Sequence, residues 1–265
     1  MALTRSTFSV GGTALNQGTT RWVTSEQKLH GAQNITYAQV TLPGREGEIP
    51  LPASRSTGAA EWILSISIQG STYAQVMDRK AALEAILMPF GRMVTIRETF
   101  ATGGKVLEAQ GFVTETTVDR PWQSAVDGVD LSYTFRIPAG VWWEPETSFT
   151  VSGTGTTSYP AATGGSAPQT ATRVEFTPSS GAARFAIASS GGTDSVLRLA
   201  GSGLTTGTSA TIEGSTLRAV QGSTNIASMV DVGTTQFHIN PDGVLVVSEF
   251  SGISSMKVYT RKAWY

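Results

Sequence analysis

The spacing of apolar residues predicts that the first half of the chain consists mainly of strands. Between Val129 and Ile137 every second residue is apolar, so these side chains share one face of a strand, which Pro138 ends. Between Glu61 and Gln69 the same period directs one set of side chains towards a core and the serines Ser65 and Ser67 outwards. The core-facing residues of this second strand are Trp62, Leu64, Ile66 and Ile68.

A change of period predicts a single helix from Tyr73 to Met88. Apolar residues recur there at intervals that cover one helical face. These residues are Tyr73, Val76, Met77, Leu83 and Leu87. Thr72 can cap the helix, with Gln75 at capping-box spacing, and Pro89 ends it.

Two weaker strand patterns follow the helix, at residues 93–100 and 106–118. Gly103-Gly104-Lys105 lies between them, and a phosphate-binding loop would need Ser or Thr where Val106 stands. This sequence is therefore interpreted as a hairpin turn. The fold class is mainly β, and the first half is expected to form a split barrel or sandwich with one helix against it.

Short apolar segments separated by glycines predict a β-sandwich in the second half. Asn240-Pro241-Asp242-Gly243 predicts a tight hairpin between Phe237–Ile239 and Val244–Val247. The predicted strands are 173–177, 183–188, 195–199, 210–213, 216–220, 235–240, 244–249 and 255–260.

A stretch rich in Gly, Ser and Thr, residues 147–170, separates the two halves. Such a composition buries little apolar surface and is typical of a linker or a long connecting loop. The chain is therefore expected to contain one domain at residues 1–146 and another at residues 171–265.

Composition and charge exclude several classes of protein. The 265 residues include 19 basic and 20 acidic side chains and no cysteine. The charge balance argues against a nucleic-acid binder that works through overall charge, and the missing thiols exclude disulfides and cysteine nucleophiles. No apolar run is long enough for a membrane span, and the N-terminus lacks the apolar stretch of a secretory signal.

The sequence contains no convincing constellation of catalytic or metal-binding residues. Neither of the two histidines, His30 and His238, has an acidic residue at metal-ligand spacing. The most suggestive acidic pair, Glu144 and Glu146, flanks Pro145 and is expected in an exposed loop. We therefore expect no enzyme activity, no metal and no cofactor.

Large aromatic residues are the candidates for an interface or a domain junction. Trp142 and Trp143 are adjacent, so on an extended chain their rings point to opposite sides. Both rings packed at a domain junction, or one ring contacting a partner, are equally compatible with this placement. Trp264 and Tyr265 end the chain, where aromatic rings indicate docking, and Tyr259 is a further candidate.

Three features of the sequence together resemble the distal tail proteins of long-tailed bacteriophages. The first is the order of strands around the helix in the N-terminal half. The second is the close of that half, from Phe135 through Trp142-Trp143 to Pro145. The third is the C-terminal run from Phe237 to Tyr265, which is similar to the last strands of the family's sandwich domain.

The resemblance implies a structural virion protein without catalytic residues. Its N-terminal domain would be like a tail-tube subunit and form a homo-hexameric ring. Its C-terminal domain would be a galectin-like sandwich. The expected partners are the tail-tube protein on one face and a hub, fibre or receptor-binding protein on the other. The protein would be made in the bacterial cytoplasm and reside in the phage tail tip, without membrane insertion or sequence-specific nucleic-acid binding.

Three alternatives remain open at this stage. The sandwich could be a carbohydrate-binding module or lectin that retains a cell-surface glycan through an exposed aromatic such as Tyr259 or Trp264. A tail hydrolase would need paired carboxylates or a metal site. A tail-tube or minor tail protein would lack a whole second sandwich.

Overall fold

In the computed structural model the chain divides into two compact units, residues 1–142 with Tyr265 and residues 143–264. The residues described are 6–16, 21–27, 35–36, 39–41, 48–50, 56–101, 103–120, 128–190, 195–230 and 236–265.

The described residues of the first unit form an antiparallel sheet with one helix, together with two short two-stranded sheets. Its strands are β1 (Thr7–Val10), β2 (Thr13–Ala14), β3 (Arg21–Gln27), β4 (Ile35–Thr36), β5 (Gln39–Thr41), β6 (Glu48–Pro50), β7 (Ser56–Thr57), β8 (Ala60–Gln69), β9 (Val94–Thr99), β10 (Val106–Arg120), β11 (Gly128–Ile137) and β12 (Trp142–Trp143). The main sheet has the strand order β2-β1-β9-β10-β11-β8-β3, and β4 pairs with β7 and β5 with β6.

The hairpin predicted between residues 93–100 and 106–118 is confirmed. Thr99 of β9 lies opposite Val106 of β10, and the amide of Phe100 donates to the carbonyl of Lys105 at 2.8 Å. Gly103 and Gly104 have φ values of 82° and 63°, a conformation that glycine adopts without strain.

The core of the first unit lies on the predicted apolar faces of β8 and β11, whose predicted residues are all buried. Trp62 is at its centre, with ring centroids 5.6 Å from Phe8, 5.3 Å from Phe135 and 5.6 Å from Trp142. The outward placement predicted for Ser65 and Ser67 is wrong, because both are buried. Burial of Ser65 is compensated by a 2.7 Å hydrogen bond between its hydroxyl and that of Ser132 on β11.

The predicted helix is α1 (Tyr73–Leu87), and Thr72 caps it as expected. The Thr72 hydroxyl accepts a hydrogen bond from the amide of Gln75 at 3.3 Å. The buried face consists of Val76, Leu83 and Leu87. Tyr73 and Met77 were expected on the same face, but both are exposed. Met77 is exposed because it follows the buried Val76 by about 100° around the helix.

The second unit is a β-sandwich, as the sequence predicts. Its strands are β13 (Thr147–Val151), β14 (Gly155–Ser158), β15 (Arg173–Pro178), β16 (Ala182–Ser189), β17 (Val196–Ser202), β18 (Ala210–Glu213), β19 (Ala219–Gln221), β20 (Thr224–Asn225), β21 (Val244–Ser251), β22 (Ile253–Thr260) and β23 (Ala263–Trp264), with a short 3-10 helix at Ala227–Met229. One sheet has the order β13-β22-β15-β18-β19-β20 and the other β14-β21-β16-β17. Phe176 of the first sheet meets Phe185 of the second in the core, with ring centroids 5.3 Å apart.

Residues 147–170 do not form the linker or long loop expected from their composition. They contain β13, which pairs with β22, and β14, which pairs with β21, so each sheet of the sandwich receives one of these strands. Gln169, near the end of this stretch, is fully buried and donates to the carbonyl of Gly164 at 3.3 Å. These residues are therefore part of the second unit.

The turn predicted at Asn240–Gly243 is present, but the predicted hairpin is wrong. The amide of Gly243 donates to the carbonyl of Asn240 at 2.9 Å, and Gly243 has a φ of 66°. Ile239 before the turn pairs with Gln169, whereas β21 after the turn pairs with β14 and β16. The turn therefore connects segments with different partners.

Candidate functional site

The predicted aromatic residues fall into three different environments. Trp142 is fully buried and packs edge-on against Trp62, so it is a core residue of the first unit. Trp143, the next residue, is partly buried and belongs to the second unit. This difference agrees with the alternation of side chains along an extended chain. Tyr265 is also partly buried.

The structure brings Trp143 and Trp264 into one cluster with Glu144 and Arg261. The Trp264 indole nitrogen donates to Glu144 Oε1 at 3.0 Å, and Arg261 Nε donates to the Glu144 carbonyl oxygen at 2.8 Å. The Arg261 guanidinium carbon lies 5.9 Å from the centre of the Trp143 ring, within the range of a cation–π contact. The Trp264 side chain is therefore held in place by the hydrogen bond of its indole nitrogen.

Tyr259 belongs to a separate polar network on the sheet that contains β15 and β22. Its hydroxyl donates to Glu175 Oε2 at 3.1 Å, and the Arg173 guanidinium carbon lies 3.9 Å from its ring centre. Arg173 also forms an ion pair with Glu146 at 3.0 Å. The hydrogen bond to Glu175 raises the pKa of Tyr259, because it favours the protonated phenol.

The suggestive acidic pair Glu144 and Glu146 is divided between these two networks. Glu144 accepts from the Trp264 indole, and Glu146 binds Arg173. Among the residues that the structure describes, no three His, Asp or Glu side chains come close enough to hold a metal ion. His238 is partly buried with its backbone bound to the Ser195 hydroxyl, and His30 lies outside the described residues.

The structure also reveals an exposed apolar surface that the sequence reasoning missed. It lies where α1 ends and the chain turns into β9, and we call it the α1–β9 corner. Its four residues are Met88, Phe90, Met93 and Phe112, with exposed fractions of 40%, 102%, 54% and 40%. Three of them, with Leu87, Pro89, Gly91, Arg92 and Val113, line a pocket of about 370 Å³. The sequence signal was available, since Met88-Pro89-Phe90-Gly91-Arg92-Met93 places apolar residues in a turn.

The outer half of β10 is the second feature that was not predicted. β9 pairs with β10 from Val106 to Gly111, and β11 pairs with its opposite edge from Phe112 to Arg120. The residues from Thr114 to Val118 are all exposed, so both faces of the strand lie open to solvent. Within the described part of the chain, β9 pairs with β10 only as far as Gly111, and we call the β9-facing edge of β10 beyond Gly111 its free edge. An edge of this kind presents unpaired backbone groups.

None of the described helices is long and apolar enough to cross a membrane.

No protein-family model and no curated protein sequence matches the chain. Its fold is similar to several solved structures. The first is the Dit protein of phage SPP1, described as a paradigm of the hub adsorption apparatus in phages that infect Gram-positive bacteria. That match has a TM-score of 0.73 and 13% identity, and covers 99% of this chain and 100% of the other.

Two chains of the phage P2 baseplate in its activated conformation are also similar. The calcium form matches with a TM-score of 0.51 and 9% identity, covering 98% of each chain. The strontium form matches with a TM-score of 0.51 and 10% identity, covering 97% of this chain and 98% of the other. These likenesses confirm the expected fold.

Proposed function

Because the chain has the fold of a phage tail hub protein, we propose that it is a structural component of a phage tail tip. In this proposal six copies form a ring through their first units. The ring joins the tail-tube protein to the hub, fibre or receptor-binding proteins that recognise the host. The protein is made in the bacterial cytoplasm and leaves the cell in the virion.

The observation that carries the proposal is the full-length match to the SPP1 hub protein. It covers 99% of this chain and 100% of the other, so it includes both compact units rather than one common β-domain. A sandwich or barrel alone hosts many functions. The combination of both units in one order is far more specific than either unit alone.

The sheet of the first unit supports head-to-tail contact between copies. Glu115–Arg120 of β10 pair with Asp130–Thr134 of β11. The same residues of β11 pair on their other side with Ile63–Ser67 of β8. β3 pairs with this same part of β8 from Ile63 to Ile68. Among the described residues, the free edge of β10 and the strand β3 therefore bound one four-stranded block on opposite sides. A contact between different surfaces of identical copies closes into a ring when the rotation fits.

Mass measurement tests the proposal directly. We expect multi-angle light scattering to give six times the chain mass of 27.9 kDa, alone or with tail-tube protein added, and electron microscopy to show six-fold rings. A chain that stays monomeric at high concentration, even with tube protein present, contradicts the proposal.

A charged substitution on the free strand edge adds a matched comparison. Thr117 of β10 and Thr156 of β14 are both exposed threonines in strands. Because lysine on an edge disfavours pairing with another strand, Thr117→Lys should weaken assembly and Thr156→Lys should not. Equal assembly of the two variants would argue against pairing through β10.

The described residues do not favour the lectin alternative. Arg173 lies over the ring of Tyr259, and the polar edge of Trp264 is bound to Glu144. The face of the Tyr259 ring that Arg173 covers is therefore closed to a stacked sugar, and the Trp264 indole nitrogen is already engaged as a donor. We therefore expect Tyr259→Ala to leave glycan-array signals unchanged.

A further inference from the structure

The α1–β9 corner exposes about as much apolar surface as the largest apolar patch on a typical monomer. At roughly 200 Å² for each fully exposed large side chain, the exposed fractions of its four residues amount to roughly 450 Å². That is in the range of the largest apolar patch on a typical monomer, roughly 300–600 Å², where such patches are often functional. Phe90 is the extreme case, since this residue is 102% exposed.

The corner is continuous with the free edge of β10. Phe112 belongs to the corner and also begins the part of β10 beyond the register with β9. The Thr116 hydroxyl lies 4.0 Å from the sulfur of Met88. A partner that pairs with the free edge of β10 therefore lies next to the corner and can cover both surfaces at once.

The size and composition of the combined surface fit an interface between proteins. The corner supplies about half of the roughly 800 Å² that each partner buries in a standard interface. The exposed threonines of β10, and Arg92 at the pocket lining, supply a polar border. An apolar centre with a polar rim is the common anatomy of such contacts.

From these observations we infer that the α1–β9 corner is the apolar centre of the contact between neighbouring copies of this chain. A side chain of the neighbouring copy occupies the pocket of about 370 Å³, while its sheet lies along the free edge of β10. The occupant is a second copy because, among the described residues, the free edge of β10 and the strand β3 lie level on opposite sides of one sheet. This inference rests on the proposed ring and names the residues at its centre.

Site-specific photo-crosslinking tests which molecule covers the corner. Benzoylphenylalanine replaces Phe90, and in a matched control it replaces Val246 of β21, which is 37% exposed in the second unit. With tail-tube protein present, we expect irradiation to join two copies of the chain through position 90 and not through position 246. Crosslinking to the tube protein, or no crosslinking at all, would overturn the inference.

Charged variants test the contribution of the corner to assembly. Phe90→Asp or Met93→Asp should raise the concentration at half-assembly at least tenfold, because the aspartate would have to be buried against apolar side chains. Val246→Asp should change it less than twofold. If rings form normally with Phe90→Asp, the inferred contact is overturned but the proposed ring is not. If no rings form but pairs of copies still crosslink through position 90, the proposed ring is overturned but the inferred contact is not.

Discussion

Gly252 is the single residue that connects a strand of one sheet of the second unit to a strand of the other sheet. β21 ends at Ser251 and β22 begins at Ile253, and these strands belong to opposite sheets of the sandwich. Gly252 has a φ of 65°, and a Cβ atom there would lie 2.0 Å from the carbonyl oxygen of Ala182. Substitution by alanine would therefore push against the first residue of β16.

The expected effect of Gly252→Ala has two contributions. The left-handed conformation costs alanine about 1–2 kcal/mol. Displacing the Ala182 carbonyl disturbs its register with Ser202 of β17 and adds roughly 1–3 kcal/mol, the usual range for overpacking. The total loss in the free energy of unfolding is therefore about 2–5 kcal/mol.

Gly222→Ala is the matched control in the same unit. Gly222 has a φ of 57°, but a Cβ atom there meets nothing within 4 Å. Its substitution should cost only the backbone contribution, about 1–2 kcal/mol. Urea unfolding of the full chain, followed by tryptophan fluorescence and circular dichroism, compares the two variants. If Gly252→Ala is no less stable than Gly222→Ala, the steric argument is refuted.

Substitutions at three further positions probe the second unit. Glu144→Ala should lower stability by about 1–2 kcal/mol by removing the acceptor of the Trp264 indole, whereas Glu144→Gln, which keeps an oxygen acceptor, should lose less in the same urea assay. Tyr259 should ionise above the ordinary phenol pKa, and ultraviolet titration should show this pKa falling in Glu175→Gln. Since folding raises this pKa, the stabilisation is present below the unfolded-state pKa and is lost as the pH rises through the folded-state value. Gln169→Leu should cost about 1–3 kcal/mol, because backbone carbonyls lose a buried donor, and an unchanged unfolding midpoint would contradict this.

Regular alternation and capping made much of the fold predictable. The apolar sides of β8 and β11 follow from a period of two, and the start of α1 follows from Thr72. β13 and β14 were missed because their exposed threonines and serines carry little apolar alternation, and a composition typical of linkers also suits edge strands. The pairing of Ile239 with Gln169 was missed because no local pattern specifies a partner so far along the chain.

The candidate interface residues were only partly accessible from the sequence. The adjacency of Trp142 and Trp143 indicates that their rings point to opposite sides of an extended chain, and their burial differs in the structure. The binding of Trp264 to Glu144 could not be predicted, since it joins residues from opposite ends of the second unit. Phe90 was overlooked because the helical pattern ends before it and an apolar turn residue has no periodicity of its own.

The length of β10 determines how the first unit responds to a mechanical load. Its first part is hydrogen-bonded to β9 and its second part to β11, over 15 residues in all. Force applied along the strand axis is shared by these bonds in shear, so many must break together. A force that peels β2 away from the sheet breaks only a few hydrogen bonds at a time, because β2 has two residues. The sheet will therefore be stiffest along β10 and will yield first at its short edge.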